Sequence, residues 1–428
     1  MQIFTSSSIE FQGFRKRLNR RAIPDQSVSQ AVSEIINHVK QAGDTALIEL
    51  TKKFDKADLT PDSIYVSATE IEEAIASVSQ ETINAVKATK ENIHAFAKHS
   101  KRTDWSYTNK EGAQVGERFF PFDRVGLYIP GGKAPLVSTA LMTGCFAQAI
   151  GCPEIVAATP CGPDGKVNPA LLYALTQAGA TQILKVGGAQ GIAALALGTE
   201  SLKPVEKVFG PGNAFVVEAK RQLIGAISID LLPGPSEILI IADETGNAKF
   251  LAADLLGQAE HGPDSEIGFI TTSPELLAEV QREITKQLPS LSRSEYLREV
   301  LENKFFAITV DSITEAISIC NDYAPEHLTL VASNEDSILP LIRNAGAIYV
   351  GNYSAVAVGD FLAGPSHTLP TGGAGKSFSG LRADQFQRRQ SVVKMDRDAV
   401  KNSLPFVQEF SKIEGLDAHG ASVAIRTR

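Results

Sequence analysis

Apolar residues recur at helical spacing through a segment from about residue 27 to residue 101. Val32, Ile35, Ile36 and Val39, for example, lie one to three positions apart and share one face of a helix. The pattern predicts a helical region in which each helix buries one face.

From Arg124 the pattern changes to short apolar runs that end in Gly or Pro. The runs are RVGLYIPGG, EIVAATP, TQILKVGG and KVFGPGN, and a second series reads ISIDLLPGPSEILIIAD, EIGFITT, FFAITV, HLTLVAS and GAIYVG. Helical stretches at 168–179, 192–197 and 247–261 lie between them. Such alternation predicts an α/β fold of parallel sheets with helices on their faces. We expect ligands at the carboxyl ends of the strands. From Arg382 onward the chain is more polar, and we predict a small, mostly helical appendage without a sheet.

Composition narrows the class of protein. A chain of 428 residues is too long for one ordinary core, and its net charge of −8 disfavours nucleic acid as a partner. No stretch approaches the roughly 20 apolar residues that span a bilayer, and residues 1–23 lack a signal-peptide core, so we interpret them as an arm. Only four cysteines are present, without a CxxC pair, which favours a reducing, cytoplasmic compartment.

The segment NAKFLAADLLGQAEHGP carries the first candidate metal ligands. On a helix, Asp254, Gln258 and His261 form one polar stripe at i, i+4 and i+7. The stripe is either a solvent-exposed face or part of a metal site. Further ligands would have to come from elsewhere, and Asp360 and His419 are candidates. Histidine nitrogens with carboxylate and amide oxygens suit Zn²⁺, although no HExxH motif is present.

The acid–base candidates are Glu326 and His327, which directly precede the apolar run LTLVAS. An imidazole can shuttle a proton near neutral pH, and a neighbouring carboxylate can tune it or activate water. A surface Glu-His pair at a strand entrance is the alternative interpretation. His367 lies in a long Gly/Ser/Thr/Pro stretch, and such loops often carry functional sites.

Several common motifs are incomplete. The run 210–215 begins like the dinucleotide motif GxGxxG but lacks its third glycine, and the P-loop pattern fails because Pro370 occupies its first glycine position. GxSxG is absent, which disfavours a serine hydrolase.

The chain nevertheless resembles the histidinol dehydrogenase family. The matching blocks occur in the family's order from about residue 124 to 426: YIPGGKAPLVSTALM, VGGAQGIAALALGT, FGPGNAFVVEAKR, IDLLPGPSEILIIAD, LLGQAEHGPDS, NDYAPEHL, GDFLAGPSHTLPT, SGLRADQF and IEGLDAHGASVAIR. The chain departs from the family pattern at Phe215, at Pro233 and in the Gly-Pro-Asp sequence after His261. These departures affect loop shape and cofactor affinity, since no expected ligand or catalytic group is lost.

The resemblance implies two Rossmann-like parallel-sheet domains with small helical appendages at both termini. We place the first domain at residues 24–127 and 237–381, with the metal and the acid–base pair. The second, at residues 128–236, would hold NAD. Residues 1–23 would form the N-terminal arm and residues 382–428 a C-terminal segment at a dimer interface.

The resemblance also implies a set of functional residues. Glu326 and His327 would be the acid–base pair of an NAD-dependent oxidation of L-histidinol to L-histidine through enzyme-bound L-histidinal. One Zn²⁺ per subunit would be held by Gln258, His261, Asp360 and His419. The substrate would contact the zinc ligands Gln258, His261, Asp360 and His419 together with Ser236, His327, His367 and Glu414. NAD would contact Tyr128, Gln190 and Asn213. The family forms homodimers, in which Glu414 and His419 reach the partner's site.

Three alternatives stay open at the level of sequence. The same scaffold acting on a related amino alcohol is one, a zinc hydrolase that uses Glu326 to activate metal-bound water is another, and a silent binding protein is the third. Within the dehydrogenase interpretation, a thiohemiacetal on Cys145 or Cys152 competes with attack by water on the aldehyde.

Overall fold

The computed structural model describes residues 1–19, 26–131 and 135–428. The strands within these ranges are β1 (Gln2–Thr5), β2 (Trp105–Thr108), β3 (Gln114–Pro121), β4 (Arg124–Tyr128), β5 (Glu154–Ala158), β6 (Gln182–Leu184), β7 (Lys207–Phe209), β8 (Ser228–Ile229), β9 (Glu237–Ala242), β10 (Glu266–Thr271), β11 (Phe305–Thr309), β12 (His327–Val331), β13 (Ala347–Val350) and β14 (Gln387–Lys394). The helices are α1 (Ile9–Leu18), α2 (Gln26–Phe54), α3 (Ala68–Ser77), α4 (Gln80–Ser100), α5 (Val137–Ile150), α6 (Pro169–Gln177), α7 (Gly188–Leu197), α8 (Ala214–Leu223), α9 (Ala248–Ala259), α10 (Pro274–Gln287), α11 (Ser294–Lys304), α12 (Ile313–Tyr323), α13 (Glu335–Ile338), α14 (Val356–Phe361), α15 (Arg397–Glu414) and α16 (Asp417–Ala424).

Two parallel sheets organise the chain. The larger has the strand order β1-β11-β10-β9-β12-β13, and the smaller has the order β6-β5-β4-β7-β8. In the larger sheet β9 lies centrally, with β10 and β11 on one side and β12 and β13 on the other. In the smaller sheet β4 lies centrally, with β5 and β6 on one side and β7 and β8 on the other. Leaving β1 aside, both follow the third-second-first-fourth-fifth order of a Rossmann-like unit. The α/β class with two Rossmann-like sheets is therefore confirmed.

The apolar runs identified in the sequence form the central strands. β9 is buried at every position, as expected for a strand covered by helices on both faces. Its neighbours β10 and β12 pair with it in parallel register, with His327 opposite Ile238. The helices predicted at 168–179 and 247–261 correspond to α6 and α9, whereas the helix predicted at 192–197 begins earlier, at Gly188.

The N-terminal residues contain a strand that we did not predict. β1 pairs in parallel with β11 at the edge of the larger sheet, and α1 follows it. Phe14 of α1 stacks on Phe4 with ring centroids 4.5 Å apart and also meets Phe306 of β11. We expected residues 1–23 to form an arm. Instead, β1 is a strand of the larger sheet and α1 packs against that sheet, while residues 20–23 lie outside the described residues.

The helices α2–α4 pack on the helices α5–α8, which flank the smaller sheet, whereas we expected residues 24–127 to belong with the larger one. Buried residues such as Val32, Leu47 and Ile93 share one hydrophobic core with Val125 and Leu127 of β4. β4 itself belongs to the smaller sheet. The periodicity of an amphipathic helix shows which face is buried but not which partner covers that face, and this explains the wrong grouping.

The C-terminal segment also differs from expectation. β14 pairs antiparallel with β3, and β2 completes a small three-stranded sheet. The sequence QRRQSVVK gave little indication of this strand because all but its first residue are exposed. Beyond it, α15 and α16 pack mainly on each other. Among the described residues, no helix combines the length and apolar character needed to cross a membrane.

Candidate active site

The acid–base candidates lie where two adjacent strands of the larger sheet begin. His327 is the first residue of β12, and Glu237 is the first residue of the neighbouring β9. Glu326 immediately precedes His327, and both side chains are buried. The pair therefore lies at the amino edge of the larger sheet, not at the carboxyl edge where we expected ligands.

The backbone of Glu237 holds both members of the pair. Its N–H donates a hydrogen bond to Glu326 Oε2 at 2.8 Å, and its carbonyl oxygen lies 2.9 Å from His327 Nδ1. Because a carbonyl can only accept, Nδ1 carries the proton and donates. In the neutral imidazole, Nε2 is then the unprotonated nitrogen, available as a base.

Burial and charge shift the pKa values of this pair. Burial raises the pKa of Glu326 to about 8, although the neighbouring imidazole partly counteracts this. For His327, burial by itself would lower the pKa, but the carboxylates of Glu326 and Asp360 more than offset it and raise the pKa to about 9. The pKa of Glu326 thus lies much closer to neutrality than that of an isolated carboxyl, as acid–base catalysis requires, whereas His327 holds its proton more firmly than an isolated imidazole does.

Asp360 lies beside His327. It is on α14, and its Oδ1 is 3.3 Å from His327 Nε2, an ion-pair distance without the alignment of a hydrogen bond. Burial acts to raise the pKa of Asp360, yet the imidazoles of His327, His367 and His261 lower it on balance. These mutual interactions place all three histidines around one carboxylate.

Gln258 and His261 come from the end of α9. Asn247 caps this helix, but the helix ends at Ala259, so His261 lies in the turn beyond it. Gln258 is buried, which excludes the alternative that the whole stripe is solvent-exposed. The His261 residue is exposed to solvent overall. The surrounding protein nevertheless desolvates its imidazole and lowers its pKa.

Three of these side chains carry buried polar atoms without a hydrogen bond. Gln258 Nε2, His327 Nε2 and Asp360 Oδ1 are enclosed and make no hydrogen bond in the described part of the chain, although the last two lie at ion-pair distance from each other. Buried polar groups normally have partners, so these atoms mark a place where a ligand would satisfy them. The described residues of this single chain contain no cluster of three His, Cys, Asp or Glu side chains suited to a metal ion.

His367 connects this group of residues to the smaller sheet. Its Nδ1 donates to the Asp360 carbonyl at 3.0 Å, and its Nε2 lies 3.1 Å from the hydroxyl of Thr139. Thr139 is in the first turn of α5, the helix that follows β4 in the chain, and so lies on the side of the carboxyl end of β4. A second link joins the Ser366 hydroxyl to the Met142 carbonyl at 2.9 Å. The amino edge of the larger sheet therefore faces the carboxyl edge of the smaller one.

The expected NAD contacts lie along that carboxyl edge. Tyr128 ends β4, and its buried hydroxyl accepts a hydrogen bond from the Gly188 N–H at 2.9 Å. Burial raises the pKa of Tyr128 to about 12, so it stays protonated. Gln190 is buried in the first turn of α7, whereas Asn213 caps α8 and is exposed. The strand order reverses between β4 and β7, which is where dinucleotides bind in such sheets.

The remaining expected substrate contacts fall into two groups. Ser236 directly precedes β9, beside the acid–base pair, and its carbonyl accepts from the Glu266 N–H at 3.1 Å. Glu414 and His419 are exposed at the C-terminal helices, and no described hydrogen bond or ion pair joins them to the other candidates. A single chain therefore does not bring these two residues to the site.

The cysteines are poor nucleophiles. Cys145 and Cys152 are both buried, and burial raises the pKa of each thiol to about 12. The reactive thiolate form is therefore scarce at neutral pH. This disfavours a thiohemiacetal mechanism.

Sequence reasoning missed Glu237 and Thr139. Glu237 acts through its backbone, which no residue pattern reports, although a carboxylate entering the fully apolar run ILIIA was a signal of an unusual position. Its own Oε1 accepts from the Gly372 N–H at 2.6 Å and thereby fixes the loop after His367. Thr139 gave no signal, since its role depends on the approach of a residue more than 200 positions away.

Two Rossmann-like sheets that meet edge to edge, with a buried acid–base pair on one side of the cleft, define an α/β enzyme. Comparison with known proteins identifies the family. The sequence model of histidinol dehydrogenase matches residues 18–427. The histidinol dehydrogenase of Clostridium acetobutylicum is 43% identical over 418 residues, which cover 97% of this chain and 95% of that protein. That of Xylella fastidiosa is 40% identical over 432 residues, covering 100% and 99%.

A solved structure supports the same conclusion. The crystal structure of histidinol dehydrogenase from Elizabethkingia anophelis superposes with a TM-score of 0.95 at 38% identity, covering 100% of this chain and 98% of that one. The chain belongs to the histidinol dehydrogenase family and is an oxidoreductase.

Proposed function

We propose that this enzyme oxidises L-histidinol to L-histidine in two steps that use NAD⁺, with a zinc ion at the site formed by Gln258, His261 and Asp360. The observation that carries the proposal is the position of the Glu326–His327 pair. It lies beside unpartnered buried ligand atoms and is linked through His367 and Thr139 to the edge where a dinucleotide would bind.

The donor set fits a borderline divalent ion. Asp360 offers an unpartnered carboxylate oxygen, His261 an imidazole, and Gln258 an enclosed amide whose oxygen and nitrogen can exchange places by rotation. When bound, the zinc would act as a Lewis acid that holds and orients the amino and imidazole groups of the substrate. We assign a further protein ligand to His419 of a second subunit.

His327 would serve as the base of the first oxidation. Tyr128, Gln190 and Asn213 would hold NAD⁺, which would supply the hydride acceptor for each of the two oxidations. The Nδ1 proton of His327 is held by the Glu237 carbonyl, so Nε2 takes the hydroxyl proton as the aldehyde forms. Because Glu326, His327 and Asp360 are buried, an aldehyde held beside them would be kept away from bulk water and from other nucleophiles.

Glu326 would activate water for the second oxidation. Its pKa, raised to about 8 by burial, lies near the working pH, and its carboxylate is fixed by the Glu237 N–H. Removing a proton from water gives a hydrated aldehyde, from which a second hydride can depart while His327 again takes the hydroxyl proton. Ser236 and His367 line the same cleft and would contact the substrate.

We propose that the site is completed in a homodimer. Phe406, Phe410 and Ile413 lie at i, i+4 and i+7 on α15, and each is at least 60% exposed. An apolar helix face of this kind is typical of an interface. Docked on a second subunit, it would carry Glu414 and His419 toward the partner's Asp360.

Mixed dimers test this arrangement. The variants His327→Asn and His419→Asn should each be inactive when expressed alone. If His419 crosses the interface, co-expression restores activity, because one site of the mixed dimer then combines an intact His327 with an intact His419. If both residues serve their own chain, every site keeps one defect and no activity returns.

A direct assay tests the reaction itself. Protein mixed with L-histidinol and NAD⁺ should produce two NADH per histidine formed, and chelation should abolish the activity until zinc is restored. A zinc hydrolase would release no NADH, and a binding protein would show no turnover. A family member that prefers another amino alcohol would show a higher kcat/KM for that compound than for L-histidinol.

A further inference from the structure

A fully buried ion pair lies behind the expected dinucleotide edge. Lys220 on α8 and Asp230, directly after β8, are both completely enclosed, with 2.5 Å between Lys220 Nζ and Asp230 Oδ1. The backbone N–H of Leu231 also donates to Asp230 Oδ1, at 2.6 Å. The pair thus joins a helix to the strand at the edge of the smaller sheet.

Both partners also hold Gly210, the residue that follows β7. The Gly210 N–H donates to Asp230 Oδ2 at 2.7 Å, and the Gly210 carbonyl accepts from Lys220 Nζ at 2.6 Å. Two charge-assisted bonds therefore fix the peptide groups on each side of this one residue.

Gly210 in turn lies against Tyr128. Its φ of +114° favours glycine, and a Cβ at this position would come within 2.1 Å of the Tyr128 carbonyl oxygen. Asn213 follows three residues later, and its Oδ1 is occupied by the N–H groups of Phe215 and Val216. Only the amide NH₂ of Asn213 is then left to face a ligand. The ion pair therefore sets the spacing between the end of β4 and the start of α8.

Stability alone does not explain a charged pair in this place. Replacing a buried ion pair with apolar residues of similar volume is often neutral or stabilising, because both charges must be removed from water. Here the two charges also hold the backbone of Gly210. This residue lies where the strand order reverses between β4 and β7, which is where a pyrophosphate would bind.

We infer that Lys220 and Asp230 are positioning residues for the dinucleotide, holding the Gly210 turn so that Tyr128 and Asn213 keep the spacing a pyrophosphate requires. The inference rests on the proposed use of NAD⁺. It assigns no contact with the metal or with the amino alcohol, so only the cofactor side of the reaction should depend on the pair.

The test uses the double variant Lys220→Met/Asp230→Leu in the full-length enzyme. Single replacements would leave one charge buried and unpaired, which is strongly destabilising, whereas the double variant removes both charges together. We expect the Kd for NADH, measured by fluorescence, and the KM for NAD⁺ to rise about tenfold, equivalent to about 1.4 kcal/mol. The kcat at saturating NAD⁺, the KM for L-histidinol and the zinc content should stay within about twofold of the wild type.

A second variant and a matched control make the result decisive. Lys220→Gln/Asp230→Asn keeps a neutral donor for the Gly210 carbonyl and should fall between wild type and the apolar variant. Glu218→Gln/Arg221→Met removes a neighbouring ion pair of α8 that faces α2 through Ser29, and it should leave NADH binding unchanged.

Two binding results would overturn the inference: unchanged NADH binding in the folded apolar variant, or a loss of NADH binding in the control variant. An equal rise in the KM for both substrates would also overturn it. Finally, if neither double variant at Lys220 and Asp230 folded, the pair would be assigned to stability and the inference would be wrong. A wild-type enzyme that binds no NADH would instead refute the proposed cofactor, so the two failures are distinguishable.

Discussion

Replacing Glu326 with Gln should separate the two oxidations. The amide oxygen of the new side chain can still accept the hydrogen bond that the Glu237 N–H makes to Glu326 Oε2 at 2.8 Å. The side chain therefore keeps its volume and its anchor and loses only its capacity to take a proton. We expect the loss of activity to be chemical and not structural.

The magnitude follows from the two steps. A positioned general base contributes about 10²- to 10⁴-fold to a rate, so oxidation of L-histidinal, which needs activated water, should slow by about that factor. Oxidation of L-histidinol relies on His327 Nε2, whose tautomer is set by the Glu237 carbonyl and not by Glu326. That step should therefore slow by less than about tenfold.

Single-turnover mixing with each substrate in turn, followed by NADH absorbance, measures the steps separately. The variant His327→Asn provides the contrast, because it removes the group that takes the hydroxyl proton in both steps and should slow both. An equal loss in the two steps of Glu326→Gln would refute the role assigned to this carboxylate.

Three further predictions concern single residues. Tyr128→Phe should lower the free energy of unfolding by about 1–3 kcal/mol, because the buried Gly188 N–H loses its acceptor, and should weaken NADH binding; an unchanged urea midpoint would show that this bond contributes nothing. Cys145→Ser and Cys152→Ser should retain oxidation of L-histidinal, since burial raises the pKa of both thiols to about 12, and loss of that step with intact histidinol binding would favour the thiol mechanism. Burial raises the pKa of Asp254 from 3.8 to about 6, so the folded state loses stability as the pH rises from the first value to the second. Asp254→Asn should therefore be nearly neutral at pH ~4 and stabilising by about 1–2 kcal/mol at pH ~7, allowing for partial exposure, and a pH-independent difference in denaturation would contradict this.

Much of the fold could be predicted from local patterns. The runs ending in Gly or Pro became the strands of two parallel sheets, and the helical stretch predicted at 247–261 became α9. These features depend on residues close together in the chain. The packing of α2–α4 beside the smaller sheet and the exposed strand β14 depend on distant partners, and hydrophobic periodicity does not specify those.

The candidate site was predictable in a similarly partial way. Glu326 and His327 were recognisable as an adjacent acid and base at a strand entrance, and the strand begins at His327. The burial of Gln258 could not be read from its spacing, which fits an exposed stripe equally well. The backbone hydrogen bonds of Glu237 are made by groups that every residue possesses, so they leave no trace in the sequence.

The position of the acid–base pair at an amino edge has an electrostatic reason. Helices that connect parallel strands run back along the sheet, so the C-terminal ends of α9 and α12 lie at the amino edge of the larger sheet, near Gln258 and Glu326. Helix C-termini carry partial negative charge, which favours a cation. On the smaller sheet the N-termini of α5 and α7 lie at the facing carboxyl edge. Neither helix is capped by the side chain of its N-cap residue, although the Tyr128 hydroxyl accepts from the Gly188 N–H of α7. Such ends favour an anion such as a pyrophosphate. Because an amino edge faces a carboxyl edge, helix ends that favour a cation lie opposite helix ends that favour an anion. A metal holding an amino alcohol would bind on one side and a dinucleotide on the other, and the hydride would pass between them.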